Sequence, residues 1–259
     1  MSKRFARFQP HKIAKLKEDV DPTYFDTQLN ELYKQIDEFE NIESKEVIQS
    51  LKNFIVINLV TVMEDTIKRE LKFEIDVEQI ELKNIFDQNE LRIRLTDLDI
   101  IKTNEITKGM IVASNFNFQN LNEFDRIFSK AYKVDFLETF LELLKLPLNI
   151  ERDESQRYYE QRMGILKRWE KLKEIPYERH RIIHNLNQNI ELDKEELHDL
   201  VDVVHNFLAK FLFFTYVLNM IDNVNFAPKD VKKHLEEEFG NKFEVLEEIV
   251  NRQRRKFRN

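Results

Sequence analysis

Arginine and histidine are concentrated in one short segment of the chain, YERHRIIHNLNQN, which spans residues 177–189. Within it, Arg179, His180 and His184 fall inside six consecutive positions. An imidazole titrates near neutral pH, so it can accept or donate a proton during a reaction. A guanidinium can hold phosphate through two parallel hydrogen bonds and stabilise developing negative charge. Together these groups are sufficient for RNA cleavage by attack of the 2′-OH, a reaction that needs no metal and leaves DNA intact.

The spacing of these residues has a simple meaning if the segment is helical. His180 and His184 are four positions apart, so they share one face of a helix. Arg179 lies further round the helix, but its side chain is long enough to reach a phosphate held over the His184 ring. Asn185 and the asparagines that follow compete with helical hydrogen bonding and should end the helix. His184 is therefore expected in the last turn, where the helix dipole favours a positive charge.

Two other interpretations of the segment stay open. An arginine and two histidines on a helix end are often ordinary solvated charges. Alternatively, His180 and His184 can chelate zinc, since four-residue spacing on a helix suits two imidazole ligands. A third ligand is then needed, and the next helix offers candidates at His198, Asp202 and His205. The chain contains no HExxH sequence, which would have favoured this alternative.

The composition predicts an all-α protein. The 259 residues include only 3 Gly and 5 Pro, and turns and strands normally use more of both. The absence of cysteine excludes disulfides, thiolate metal sites and a cysteine nucleophile. The first residues lack the apolar core of a signal peptide, and the longest apolar run, residues 207–221, contains Lys210. We therefore expect a buried helix in that run, no membrane association and a cytoplasmic location.

Apolar residues recur at helical spacing along most of the chain. Ser44 is predicted to cap one helix, and Asp193 with Glu196 forms a capping-box sequence before another. Pro176 predicts a kink or a fresh helix start. Residues 74–120 are ambiguous, except for a predicted loop at 114–120 that Phe116 and Phe118 should anchor. The predicted helices are 24–41, 45–71, 121–132, 134–145, 154–174, 177–185, 194–223, 228–239 and 241–256.

The motif and its helical context resemble a known family. Arg179, four intervening residues and His184 resemble the R-x4-6-H signature of the HEPN superfamily, with polar His180 after the arginine and Asn185 after the histidine. The segments VMEDTIKREL and NFQNLNEFDRIF resemble helices that precede the motif in that fold, and a long apolar helix follows it. The resemblance covers about residues 45–222. Over this range the chain resembles defence-associated ribonucleases of the RiboL-PSP and abortive-infection type.

The resemblance implies a fold, an activity and an assembly. The fold is a HEPN-like bundle of four to five core helices, residues 45–222, with an N-terminal basic segment and helix (1–44) and a C-terminal helical extension (223–259). The implied activity is metal-independent endoribonuclease action, without a cofactor, in toxin–antitoxin or antiviral systems. Arg179 and His184 would be catalytic, with His180 and Asn185 assisting. The expected partners are RNA, a second copy of the chain, and an antitoxin or regulatory protein.

A non-catalytic function is the alternative that the same resemblance allows. Some HEPN domains dimerise or bind a nucleotide or a partner protein without chemistry. The net charge of the whole chain is −7, yet residues 1–17 and the final NRQRRKFRN are basic, so the body between them is acidic. Basic ends can contact phosphates, although chain ends are most often solvated and frayed.

Overall fold

Helices account for the regular structure of this chain. The computed structural model describes residues 24–86, 106–118, 120–144, 169–184, 190–223 and 242–258. Within these ranges there is no β-strand, which confirms the predicted all-α fold. The elements are α1 Tyr24–Asp37, a 3-10 helix Glu38–Asn41, α2 Lys45–Asp76, α3 Leu82–Ile85, α4 Lys108–Ser114, α5 Leu121–Tyr132, α6 Phe136–Leu144, α7 Trp169–His184, α8 Lys194–Asn223 and α9 Lys242–Arg258.

Helix α2 is the hub of the bundle, since it packs against α1, α4, α7 and α8. Its central residues from Ile55 to Ile75 are largely buried, so a long helix here is stabilised by contacts on most of its faces. The observed helix extends five residues beyond the predicted end at residue 71. Ser44 accepts a hydrogen bond from the Val47 N–H at 3.4 Å, which confirms the predicted cap.

Helix α8 is the second core helix and runs parallel to α2. Its start is fixed by a capping box, in which the Glu196 N–H donates to the Asp193 carboxylate at 2.8 Å and the Asp193 N–H donates to Glu196 at 3.0 Å. Further along, the Thr215 hydroxyl donates to Glu70 and the Asn219 amide donates to Glu74 at 2.6 Å. Glu74 follows Glu70 in α2, and its partner Asn219 follows Thr215 in α8. The two helices therefore run in the same direction.

Phenylalanines from three helices form the packed centre beside α8. Phe124 of α5 lies 5.2 Å from Phe211 and 5.4 Å from Phe136 between ring centroids, in edge-to-face arrangements. Such pairs add to the free energy of burying their large apolar surfaces. The loop after α4 follows the same pattern, because Phe116 and Phe118 are buried and anchor it to the core as predicted.

Helix α1 packs antiparallel to α8 through apolar residues and a polar seam. The buried side of α1 includes Leu29 and Ile36. Along the edge, His205 pairs with Asp26 at 2.7 Å and His198 pairs with Asp37 at 3.1 Å. The order of these pairs reverses between the helices, which gives the antiparallel direction. Helix α1 is therefore part of the core packing of the bundle.

Two sequence predictions differ from the structure. The described part of helix α7 runs from Trp169 through Pro176, so of the two outcomes predicted at the proline, a kink or a fresh helix start, the fresh start is wrong. Buried Leu172 and Ile182, on either side of the proline, hold the helix against the bundle despite the lost hydrogen bond.

The basic end of the chain is helical up to residue 258, with Arg252 and Lys256 paired to carboxylates of α6. The predicted helical residues 154–168 and the predicted helix 228–239 lie outside the described residues.

Helices α2 and α8 are each long and apolar enough to cross a bilayer, judged by length and composition alone. In the bundle they pack against one another and against other helices, with 33% and 56% of their apolar windows buried. Central helices of a helical bundle share these properties. The apolar run at residues 207–221, which was predicted to form a buried helix, lies in the core helix α8.

Gly109 allows α4 to approach the C-terminal end of α2 closely. Its N–H donates to the Asp76 carboxylate at 2.8 Å, and a Cβ atom at this position would lie 2.3 Å from the Lys72 carbonyl oxygen. We expect Gly109→Ala to destabilise the fold by about 1–3 kcal/mol, the usual cost of overpacking. Thermal unfolding followed by circular dichroism measures this change. The exposed neighbour Lys108→Ala is the control, and an unchanged melting temperature for Gly109→Ala would show that α4 moves away from α2 without loss.

Candidate functional site

Helix α7 carries the arginine and histidine segment and is anchored by one apolar stripe. Leu172, Ile175 and Ile182 are buried, and α7 packs mainly against α2. Their positions recur every three or four residues, which is the spacing of a single helix face. The described part of the helix reaches His184 and residues 185–189 lie outside the described residues, so the location of His184 in the last turn stays a prediction.

The two imidazoles lie together on the solvent side of α7. The ring centroids of His180 and His184 are 4.2 Å apart, with an angle of 51° between the ring planes. Both side chains are exposed. The predicted common face is therefore confirmed, and both rings are accessible to a molecule in solution.

Arg179 lies on a different side of the helix, within the apolar stripe. It follows Leu172 by seven positions and precedes Ile182 by three, so it occupies a place where an apolar residue is normal. The residue is half-buried, and its Nε atom is buried without a hydrogen-bond partner among the described residues. A buried donor without a partner costs about 1–3 kcal/mol of folding free energy. Packing among the described residues therefore does not account for an arginine at this position.

The structure does not join Arg179 to His184 within one chain. At about 100° per residue, the two side chains leave α7 about 140° apart, with about 7.5 Å between them along the axis. Among the described contacts, no hydrogen bond links the two residues. Asn185, the fourth predicted site residue, lies outside the described residues.

Large apolar side chains flank the imidazole pair. Tyr177 is 63% exposed and Ile183 is 45% exposed, on the same side of α7 as His180 and His184. Contiguous exposed apolar surface rimmed by polar groups is typical of interaction sites, whereas single exposed apolar residues are common on any protein. We call these four residues, Tyr177, His180, Ile183 and His184, the imidazole face.

A cavity of about 460 Å³ lies on another side of α7, between α7, α2 and α8. Sequence reasoning did not find it, although the three- and four-residue spacing of Lys171, Glu174 and Glu178 marks one charged side of the helix. Arg181 at its edge pairs with Glu178 at 2.7 Å. The cavity lining comprises Val56, Lys171, Glu174, Ile175, Glu178, Arg181, Ile190, Glu191, Leu192, Glu196 and Leu200.

The residues considered as further zinc ligands are used elsewhere. His198 and His205 pair with Asp37 and Asp26 in the seam between α1 and α8, and Asp202 accepts a hydrogen bond from the Tyr33 hydroxyl. Within the described parts of the chain, no group of three or more metal-ligating side chains converges. The alternative of a zinc site completed by α8 is therefore wrong for the conformation that the structure describes.

A second titratable cluster lies inside the bundle, between α2 and α8. Glu74 is 1% exposed, and both burial and the nearby charge of Glu70 raise its pKa, to about 8. Burial also raises the pKa of Glu70. Sequence reasoning missed this pair, although two glutamates four positions apart on a helix that is buried on most sides would have been a signal.

The position of Arg179 predicts that its removal can stabilise the fold. We expect Arg179→Met to raise the free energy of unfolding by about 0.5–2 kcal/mol, because a flexible apolar side chain fits the stripe and removes the buried donor. Chemical denaturation measures this difference. The exposed Arg126→Met is the matched control. A loss of stability in Arg179→Met would indicate that the guanidinium is satisfied in the folded chain.

Comparison with known proteins adds no relative: no protein-family model, no curated protein sequence and no solved structure matches this chain.

Proposed function

We propose that this chain is a metal-independent endoribonuclease of the HEPN type that acts as a homodimer. His184 is the acid/base group and Arg179 is the phosphate clamp, with His180 and Asn185 assisting. The proposal rests on the resemblance of the Arg179 to His184 segment and on the arrangement of α7. Its biological setting would be antiviral defence or a toxin function in the cytoplasm, with an antitoxin or regulatory protein as a further partner.

The observation that carries the proposal is the placement of Arg179. An arginine whose buried Nε has no hydrogen-bond partner among the described residues occupies the packing stripe of α7, next to the exposed His180 and five positions before the exposed His184. Local rules of packing are most often broken at functional sites, where a ligand supplies what the fold leaves unsatisfied. A phosphate diester is a suitable ligand for these groups. Its oxygens accept hydrogen bonds from a guanidinium, and its leaving oxygen can receive a proton from an imidazole.

The reaction follows from these two groups and the RNA itself. A neutral imidazole removes the 2′-OH proton, and the 2′-oxygen forms a bond to the adjacent phosphorus. The bond from phosphorus to the 5′-oxygen breaks, and a protonated imidazole gives its proton to that oxygen. The products are a 2′,3′-cyclic phosphate and a 5′-OH end. Arg179 stabilises the extra negative charge on the phosphorane oxygens.

The geometry of α7 is a reason to include a second copy of the chain in the proposal. Arg179 and His184 leave the helix in directions about 140° apart, so one helix alone presents them to one phosphate poorly. Two α7 helices that meet at their imidazole faces bring the histidines of both chains together, and Arg179 reaches that contact only when its guanidinium turns out of the stripe that faces α2. Tyr177 and Ile183, which flank the imidazoles and are exposed, provide apolar surface for such a contact.

The decisive experiment is cleavage of a mixed RNA pool by the purified chain in the presence of EDTA. We expect cleavage products with cyclic phosphate ends, and no cleavage of an otherwise identical RNA with a 2′-deoxy nucleotide at the scission site. Cleavage of the 2′-deoxy substrate at that position would exclude the 2′-OH mechanism. Absence of cleavage in every RNA would exclude the nuclease function.

The second candidate function is a non-catalytic binding module. The exposed Tyr177 and Ile183 favour it, because they form an apolar contact surface whether or not chemistry occurs beside it. Expression in cells distinguishes the two functions. Toxicity that His184→Ala relieves and that Arg126→Ala, on an exposed position of α5, leaves intact favours the nuclease, whereas partner binding without toxicity favours the module.

A further inference from the structure

We propose that His180 and His184 form a two-imidazole chelate for a borderline divalent transition metal, with Zn²⁺, Ni²⁺ and Cu²⁺ as the ions of suitable chemistry. The proposal concerns binding by the folded chain and does not depend on the nuclease function. The consequence for catalysis described below rests on that proposed function.

The distance between the two rings is close to that in a chelate. The ring centroids are 4.2 Å apart, and the rings are tilted by 51°. Two imidazoles bound to one ion, with bonds of about 2.0–2.1 Å, hold their ring centres about 4.5–5 Å apart. Both side chains are exposed, so small side-chain rotations can supply the difference. The backbone between them is helical, which fixes their spacing in advance.

The charged groups that the structure describes around the pair leave room for a cation. The positive charge of Arg181 is matched by Glu178, with the nitrogen and oxygen 2.7 Å apart. Arg179 lies on the stripe that faces α2, about 100° from His180 around the helix. Lys173 shares the imidazole side but precedes His180 by seven residues, about 10 Å along the axis.

Two protein ligands define the kind of site. No third metal-ligating side chain converges on the pair within the described residues, so the remaining coordination positions are open to water or to a bound molecule. An open two-ligand site binds reversibly and prefers ions with affinity for imidazole. Cu²⁺ should bind more tightly than Ni²⁺ or Zn²⁺, and Mg²⁺, which prefers oxygen ligands, should not bind there.

A bound ion would act on the proposed reaction as an inhibitor. Coordination uses the imidazole lone pair that must otherwise accept the 2′-OH proton. Zn²⁺ should therefore suppress RNA cleavage, and EDTA should restore it. Such a nuclease would need no metal for its activity but would be inhibited when a metal binds.

The test is calorimetric titration of the tag-free protein with Zn²⁺ and with Ni²⁺, without RNA. We expect saturable binding, with affinity reduced in His180→Ala and in His184→Ala by more than the 10–100-fold that loss of an outer supporting contact costs. His184→Gln provides a second variant that preserves polarity. His198→Ala is the matched control, since that histidine pairs with Asp37 in the α1–α8 seam and should leave affinity unchanged.

The outcomes separate this proposal from the nuclease proposal. Metal binding that is lost in both single variants supports the chelate even if no RNA is cleaved. No binding to the wild type, or equal binding by the wild type and a His180→Ala, His184→Ala double variant, overturns it. RNA cleavage that Zn²⁺ does not affect, in a protein that binds Zn²⁺ through the pair, would remove His184 from the proposed chemistry.

Discussion

Replacing His184 by alanine is expected to lower the rate of RNA cleavage by about 10²–10⁴-fold, the usual effect of removing one acid/base group. The ring is exposed on α7 and makes no contact that the core requires, so the melting temperature should change little. Single-turnover cleavage of a short RNA at neutral pH in EDTA measures the rate of the chemical step. A variant that cleaves at the wild-type rate would dismiss the assignment.

Arg179→Ala should lower the rate of RNA cleavage by about 10²–10³-fold. This is the usual effect of removing one hydrogen-bond donor that stabilises the charge of the transition state. The two residues would act as a unit, so the double variant should lose little more than the worse single variant. His198→Ala and Arg126→Ala are the matched controls, because each removes the same type of side chain from a different surface. Similar losses in the controls would indicate damage to folding and would refute a local effect at α7.

Replacing Glu74 by glutamine is expected to stabilise the protein at alkaline pH. Glu74 accepts a hydrogen bond from Asn219 at 2.6 Å, is buried between α2 and α8, and has a pKa raised to about 8. Glutamine keeps the acceptor oxygen, is neutral at every pH, and has a donor where the protonated carboxyl has its proton. The substitution therefore removes the cost of ionising a buried group beside Glu70.

The direction of the pH dependence follows from proton binding. The folded chain holds a proton on Glu74 up to about pH 8, whereas the unfolded chain releases it near pH 4.5. The stability contributed by this proton is fully present below pH 4.5 and is lost as the pH rises through about 8. Each pKa unit of difference corresponds to about 1.4 kcal/mol, so the loss over this window is several kcal/mol.

Melting temperatures of the wild type and Glu74→Gln at pH 5 and pH 8 measure this effect. The two proteins should melt at similar temperatures at pH 5, and the variant should melt about 5 °C or more higher at pH 8. Glu248→Gln, which makes the same chemical change on an exposed position of α9, should show no such difference. An equal shift at both pH values would mean that Glu74 is ionised in the folded chain.

The sequence was sufficient to predict most helices because their signals are local. The apolar spacing within 45–71 and 194–223, together with the caps at Ser44 and Asp193, needed no knowledge of neighbouring elements. The shared face of His180 and His184 followed from helix geometry in the same way. These features are decided by residues within one or two turns of each other.

What the sequence did not predict depends on distant contacts. Pro176 is accommodated because α7 packs along α2, and no pattern around residue 176 contains that information. The close approach at Gly109 is to a carbonyl of α2, more than thirty residues earlier in the chain. The unpartnered Nε of Arg179 could be recognised only after the apolar stripe of α7 was assigned to a partner helix.

The parallel arrangement of α2 and α8 has a consequence for the synthesis of the chain. Glu70 and Thr215, which meet in the core, are 145 positions apart, so their contact closes a long loop. At about 5–20 residues per second, a ribosome needs about 7–30 s to extend the chain from one to the other. Throughout that interval the apolar faces of α2 have no α8 to cover them. The nascent chain should therefore depend on a chaperone that shields long apolar helices until translation is almost complete.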